Sequence, residues 1–285
     1  MLVRNVSEFI EVSRSLNEYW IGERATGNCG RQIWFRGQSD EAMGLRPKTY
    51  RRDFRSDDEG GAFFYREAAI QQEFQARAVQ MLRGDKRPQS RFEWYFLMQH
   101  YGAPTRLLDW SSSPLVALYF AVCSIYDPVT SWISKFEQKQ PPNPAIWALC
   151  PTWLNSKLGK DVLPQPIDGP MFAEWPQADV YLCGLEETFK VPKLPELPAA
   201  IEPPYTDSRL SAQASRFVIF GAQEDLAEIS FSKLPDARLQ KITIANGSAQ
   251  AILHELDRLG IRESTVFPDV DALCLDICRK WQLGS

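Results

Sequence analysis

The chain has 285 residues, 44% of them hydrophobic and 24% charged, with a formal net charge of −4. That length is enough to bury a sizeable core in one large domain or two small ones, and the composition is that of a globular protein. The acidic balance gives no global reason to bind nucleic acid, no run of about 18 apolar residues offers a transmembrane helix, and the N-terminus lacks a signal-peptide apolar region, so the expected location is cytoplasmic with no membrane partner.

Phe9, Val12, Leu16 and Tyr19-Trp20 recur at helical spacing and predict an amphipathic helix over 7–22, with Ser7 as its N-cap. Gly27, Asn28 and Gly30 mark a turn. The apolar run over 32–35 predicts a short strand that Gly37 and Ser39 end at once. Arg36 at that strand end either projects from a sheet edge into a cleft or forms a structural ion pair. In a cleft it suits an anionic ligand, because guanidinium binds phosphate or carboxylate bidentately. Residues 40–61 read as a loop or short helical piece, and Arg46, Lys48, Arg51, Arg52 and Arg55 make it the locally basic zone: a phosphate-binding patch or a solvated surface.

Ile70, Phe74, Ala78 and Met81 form one stripe of a helix predicted over 63–82. Ser90-Arg91-Phe92-Glu93 fits a capping box and opens a helix through His100, which Gly102 and Pro104 end. Ser111-Ser112-Ser113-Pro114 opens a third, almost wholly apolar helix over 115–126. Residues 127–210 are irregular and proline-rich, with short strands expected at 145–150 and 180–182. Further strands are expected at 216–220, 241–244 and 264–267. A helix over 248–259 is stopped by Gly260, and Pro268-Asp269 caps a last helix with Val270, Leu273, Cys274, Ile277 and Trp281 inward.

The six cysteines include no Cys-x-x-Cys pair, and there are only two histidines, which argues against a zinc site. Cys274 and Cys278 lie four apart on one helix and read as buried apolar fillers. No GxGxxG or GxxxxGK[ST] appears, which disfavours a Rossmann domain or P-loop, and no Gly-x-Ser-x-Gly supports a Ser-His-Asp hydrolase built from Ser111, His100 and Asp109. With no linker dividing it, the chain reads as a single α+β domain over 1–285.

Three segments carry the polar residues that suggest chemistry: Trp34-Phe35-Arg36-Gly37-Gln38, the run from His100 to Ala121, and Arg209 to Phe217. Tyr101-Gly102-Ala103-Pro104-Thr105-Arg106-Leu107-Leu108-Asp109-Trp110, with the Pro114-Leu115-x-Ala117-Leu118-x-Phe120-Ala121 helix after it, resembles the FRG domain family over roughly residues 20–280. A weaker resemblance links Phe35-Arg36-Gly37, Ser111-Ser112-Ser113 and the Gln213 segment, in that order, to the arginine-serine-glutamate class of ADP-ribosyltransferases. That second resemblance implies split antiparallel sheets with flanking helices. It also implies NAD as substrate and a protein or nucleic-acid acceptor for ADP-ribose, or hydrolysis of NAD, in the setting of a bacterial toxin or phage-defence effector. It implies catalytic roles for Arg36, Ser111 and Gln213; His100, at a helix end beside the motif, is either a catalytic general base or a packed histidine facing the helix dipole. Arg36, Gly37, Gln38, Tyr101, Asp109, Trp110, Ser111 and Ser112 would form the nucleotide site. The sequence departs from that pattern at Gln213, where a glutamate is wanted; Asp109 is the nearest carboxylate in a matched motif, unless it simply pairs with Arg106. A non-catalytic nucleotide or nucleic-acid binding module with the same cleft is the alternative. Trp34, Trp94 and Trp110 are core residues or ring platforms, and the serine triplet is a ribose contact or only a helix cap.

Overall fold

Short β-prone runs and amphipathic helices assemble here into an α+β domain, seen in a computed structural model. The structure describes residues 1–22, 32–51, 62–82, 87–88, 90–126, 142–158, 181–182, 194–203, 208–232, 234, 236–245 and 247–281. The strands are β1 (Leu2–Val3), β2 (Trp34–Gln38), β3 (Leu107–Ser111), β4 (Ala145–Leu149), β5 (Ala199–Ile201), β6 (Ser215–Ile219) and β7 (Leu239–Ile244). They form one open sheet in the order β1-β7-β4-β2-β3-β6-β5, antiparallel except for β1 against β7. The helices α1 (Val6–Ile21), α2 (Ala62–Ala78), α3 (Arg91–His100), α4 (Pro114–Val122), α5 (Pro151–Ser156), α6 (Ser208–Ala212), α7 (Leu226–Ser232), α8 (Ala249–Arg258), α9 (Glu263–Val266) and α10 (Val270–Lys280) flank it.

The sheet is continuous rather than two separate sheets, but it is nearly divided at its centre. β2 pairs with β4 from Trp34↔Leu149 through Gln38↔Ala145, and with β3 at Phe35↔Ser111. Beyond that bridge the two strands part, leaving a fork between a four-stranded half and a three-stranded half. The three-stranded half is buried on both faces because its side chains alternate. Leu107, Phe217, Ile219, Ala199 and Ile201 pack with Phe92, Tyr95, Phe96 and Met98 of α3. Leu108, Trp110, Val218 and Ala200 face the main core, shared with α4, α8 and the four-stranded half.

Gly37 fixes α4 against β2. A Cβ there would stand 2.0 Å from the Ala117 carbonyl oxygen and 2.5 Å from the Ala121 nitrogen, so the helix backbone occupies the space a side chain would need. On the other side of the fork, Arg106 ties the three-stranded half to α2. It is wholly buried, its Nε lies 2.8 Å from Glu67 Oε2, and its Nη1 donates to the Phe220 carbonyl at 2.9 Å. Tyr95 donates to Glu67 and accepts the Arg106 amide at 2.7 Å. The buried charge is thus paired and hydrogen-bonded, as burial demands.

Several sequence expectations are corrected. α1 is capped by Asn5, whose side chain accepts the Glu8 amide at 2.8 Å, rather than by Ser7. β2 runs through Gly37 to Gln38, because Gly37 is needed for close packing rather than for a turn. It is an interior strand, not a sheet edge. Residues 264–267 are not a strand: Glu263–Val266 form the helical turn α9, held where Thr265 accepts the Arg262 amide at 2.8 Å and Asp276 accepts the Ser264 amide at 2.9 Å. Tyr181 and Leu182 form no strand; Tyr181 instead accepts from Arg106 through its carbonyl and donates through its hydroxyl to Leu197. The apolar stripe of α10 faces outward, with Trp281 69% exposed and Val270, Leu273 and Ile277 exposed, so Cys274 and Cys278 are surface thiols rather than core fillers. Met81 is exposed as well. The caps at Ser90, Ser113 and Asp269 and the stop at Gly260 are as expected. The turn at Gly27, Asn28 and Gly30, with Arg52, Arg55, Cys29, Cys183 and most of 127–210, lies outside the described residues.

Candidate functional site

The parting of β2 and β3 opens a cavity of about 400 Å³ at the fork, a size typical of small-molecule sites. β2 supplies Phe35, Arg36 and Gln38; β3 supplies Asp109, Trp110 and Ser111. The C-terminal end of α3 adds Gln99 and His100, and Gln213 comes from the turn between α6 and β6. The order of the sheet thus brings together residues up to about 180 positions apart in sequence.

Arg36 spans the fork. Its Nη1 donates to the Asp109 main-chain carbonyl at 2.7 Å and lies 3.9 Å from the Asp109 carboxylate. The side chain is 15% exposed, and its buried Nε has no hydrogen-bond partner among the described residues. Burial lowers the guanidinium below its ordinary pKa; Asp109 opposes that and Arg51 adds to it. The indole nitrogen of Trp110 is also buried without an acceptor among the described residues.

Asp109 does not pair with Arg106, which is spent on Glu67. Its carboxylate is 58% exposed and receives the Gln99 amide at 3.0 and 2.9 Å on its two oxygens. Thr105 in turn donates to Gln99 Oε1, which fixes which end of the amide faces Asp109. Asp109 is the one carboxylate lining the cavity among the described residues, and Arg36, Arg51 and Arg209 line it as well.

The other expected residues divide into two sets. Ser111 donates to the Gln213 carbonyl at 2.7 Å and accepts the Ser113 amide at 3.0 Å, so it stitches β3 to the turn before β6 and to the start of α4. Gln213 donates to the Val266 carbonyl at 3.2 Å. Gln38 lines the cavity, but both ends of its amide are engaged, by Gly44 at 3.1 Å and Trp147 at 2.9 Å. Tyr101 and Ser112 do not line the cavity: Tyr101 is exposed with its ring edge-on to His100, and Ser112 bonds Ala214. Trp34 and Trp110 are core residues.

Sequence reasoning missed Arg51 and Arg209 as cavity residues. Arg51 was visible within the basic zone 46–55, where Arg46 proves to be tied to Asp225 at 3.0 Å. Arg209 carried no separate signal; it lies over the Phe267 ring at 4.6 Å.

No curated protein and no solved structure matches the chain. The family model for the FRG domain matches residues 31–128, which hold Arg36-Gly37, Gln99, the Tyr101–Trp110 run and the Ser113-capped helix, though not Gln213. The residues that build both sides of the fork from β2, α3, β3 and α4 therefore all lie within the segment, residues 31–128, that matches the FRG domain.

Proposed function

We propose that the fork binds NAD and that the protein is ADP-ribosyltransferase-like, transferring ADP-ribose to a macromolecule or hydrolysing NAD. Arg36 carries this reading. A guanidinium that is mostly buried and incompletely bonded gains most from an anion, and a diphosphate supplies several acceptor oxygens for charge-assisted hydrogen bonds, each worth about 1.5–3 kcal/mol. Arg51 and Arg209 on the same cavity extend the positive field. Ser111 would support the ribose strand through its two bonds, with Ser112 behind it, and Gln213 would bond the ribose at the reacting end. The resemblance to the arginine-serine-glutamate class supplies NAD in particular and makes a bacterial toxin or phage-defence effector the setting. A Ser-His-Asp hydrolase is disfavoured because Ser111 donates to Gln213 and not to a base.

One observation favours a second reading. Gln213 contributes no negative charge, which suits a binding module that holds a nucleotide without cleaving it. Labelled NAD offered with protein, DNA and RNA acceptors separates the two. Release of nicotinamide that Arg36→Ala abolishes supports the enzyme; tight binding without release in every acceptor background leaves the module; and no binding at all removes both.

A further inference from the structure

Resting on the NAD reading, we infer that Asp109 is the group that complements the positive charge of the ligand, and that Gln99 is its positioning residue. The cavity presents its charges unevenly: Arg36, Arg51 and Arg209 are cationic, and Asp109 alone among the described lining residues is a carboxylate. A ligand carrying only phosphates would have no use for that carboxylate. NAD has a cationic pyridinium at one end, and the departure of nicotinamide puts positive charge on the ribose carbon.

The geometry around Asp109 is prepared for such a role. The Gln99 amide reaches both carboxylate oxygens, at 3.0 and 2.9 Å, and is itself oriented by the Thr105 hydroxyl. Thr105 is wholly buried, and its carbonyl accepts from Thr49 at 2.9 Å, so the relay starts from a rigid point. The carboxylate therefore stands in a fixed place on the cavity lining while remaining more than half exposed. Preorganised charge of this kind stabilises a developing cation without reorganising during the reaction. In the step itself the bond between the ribose carbon and the nicotinamide nitrogen breaks, and its electron pair leaves with neutral nicotinamide. Water then adds its lone pair to the ribose cation, forms the new C–O bond and releases one proton to solvent. Asp109 would stabilise the cation throughout and remain unmodified.

Calorimetric titration of the full chain with NAD and with NADH tests this, because the two share the diphosphate and differ in the charge of the nicotinamide ring. Asp109→Asn and Asp109→Ser should lower the ratio of NAD to NADH affinity by roughly tenfold, the scale of one half-solvated charge contact. Because the carboxylate also lies 3.9 Å from Arg36, any effect on the shared diphosphate falls on both ligands and cancels in the ratio, and both variants should abolish nicotinamide release. Gln99→Leu should lower the same ratio less and slow release without a matching rise in KM, changes that a merely structural role would not produce. Arg36→Ala should weaken both ligands alike. If wild type binds NAD but the Asp109 variants keep the wild-type ratio, the assignment of Asp109 is overturned and the NAD cleft stands. If wild type binds neither NAD nor NADH, the NAD reading falls and takes this assignment with it.

Discussion

Arg36 and Asp109 meet because two strands that pair at Phe35–Ser111 separate immediately afterwards, and the arginine reaches over the gap to the Asp109 carbonyl. Arg36→Lys keeps a charge but loses the planar fork that can hold a strand carbonyl and a phosphate together, so it should weaken ligand binding by about tenfold or more; equal affinities by titration would show that only the charge matters. Thiol reactivity gives an independent check on residue environments. Burial pushes the Cys123 thiol up to about 11, and nearby Glu263 acts in the same direction. The thiolate is the reactive form. At pH 8 iodoacetamide should therefore modify exposed Cys274 and Cys278 well before Cys123, with mass mapping as the readout. Early labelling of Cys123 would contradict the packing around it.

At the scale of elements, the fork is held open from both sides. α4 lies on β2 because Gly37 has no side chain, and Gly37→Ala would drive a Cβ into the helix backbone. It should cost about 3 kcal/mol or more, read as a lower denaturation midpoint; a neutral substitution would mean that α4 does not lie where described. α2 is tied to β3 through Glu67 and Arg106. Glu67→Ala strands a buried guanidinium and should cost roughly 3–5 kcal/mol, whereas a joint Glu67→Leu, Arg106→Met replacement should recover much of that loss. These elements differ in how visible they were beforehand. Ser90, Ser113-Pro114 and Asp269 announce helix starts through local capping chemistry, and the structure has helices there. The partner of Arg106 was not visible, since Asp109 lies three residues away on β3 while Glu67 lies 39 residues away on another helix. Thr265-Val266 have β-prone side chains, yet a local hydrogen bond to Arg262 and an anchor on Asp276 hold them in α9. α10 has a clear apolar period, but periodicity specifies a face and not what covers it, and that face is outward here.

For the whole molecule, β1, β3 and β5 were not expected as strands, whereas the α+β class and the positions of β2, β4, β6 and β7 were legible because alternation and capping are local signals. The sheet order was not, since it depends on long-range pairing, and with it went the position of Arg36 inside the sheet rather than at an edge. Eight of the ten expected site residues nevertheless line one cavity, because the ordered segments Phe35-Arg36-Gly37, Asp109–Ser111 and Gln213 sit on the two strands of the fork and the turn beside it. The departures have local causes: Tyr101 follows the last residue of α3 into solvent, and Ser112 turns toward Ala214. The central claim is that the fork takes a nucleotide through Arg36. Calorimetric titration of wild type and Arg36→Ala with NAD, with thermal unfolding to confirm that both are folded, tests it most directly. The account predicts saturable one-to-one binding by wild type and a loss of at least tenfold in Arg36→Ala. Undiminished affinity in folded Arg36→Ala, or no heat of binding in wild type, would contradict it.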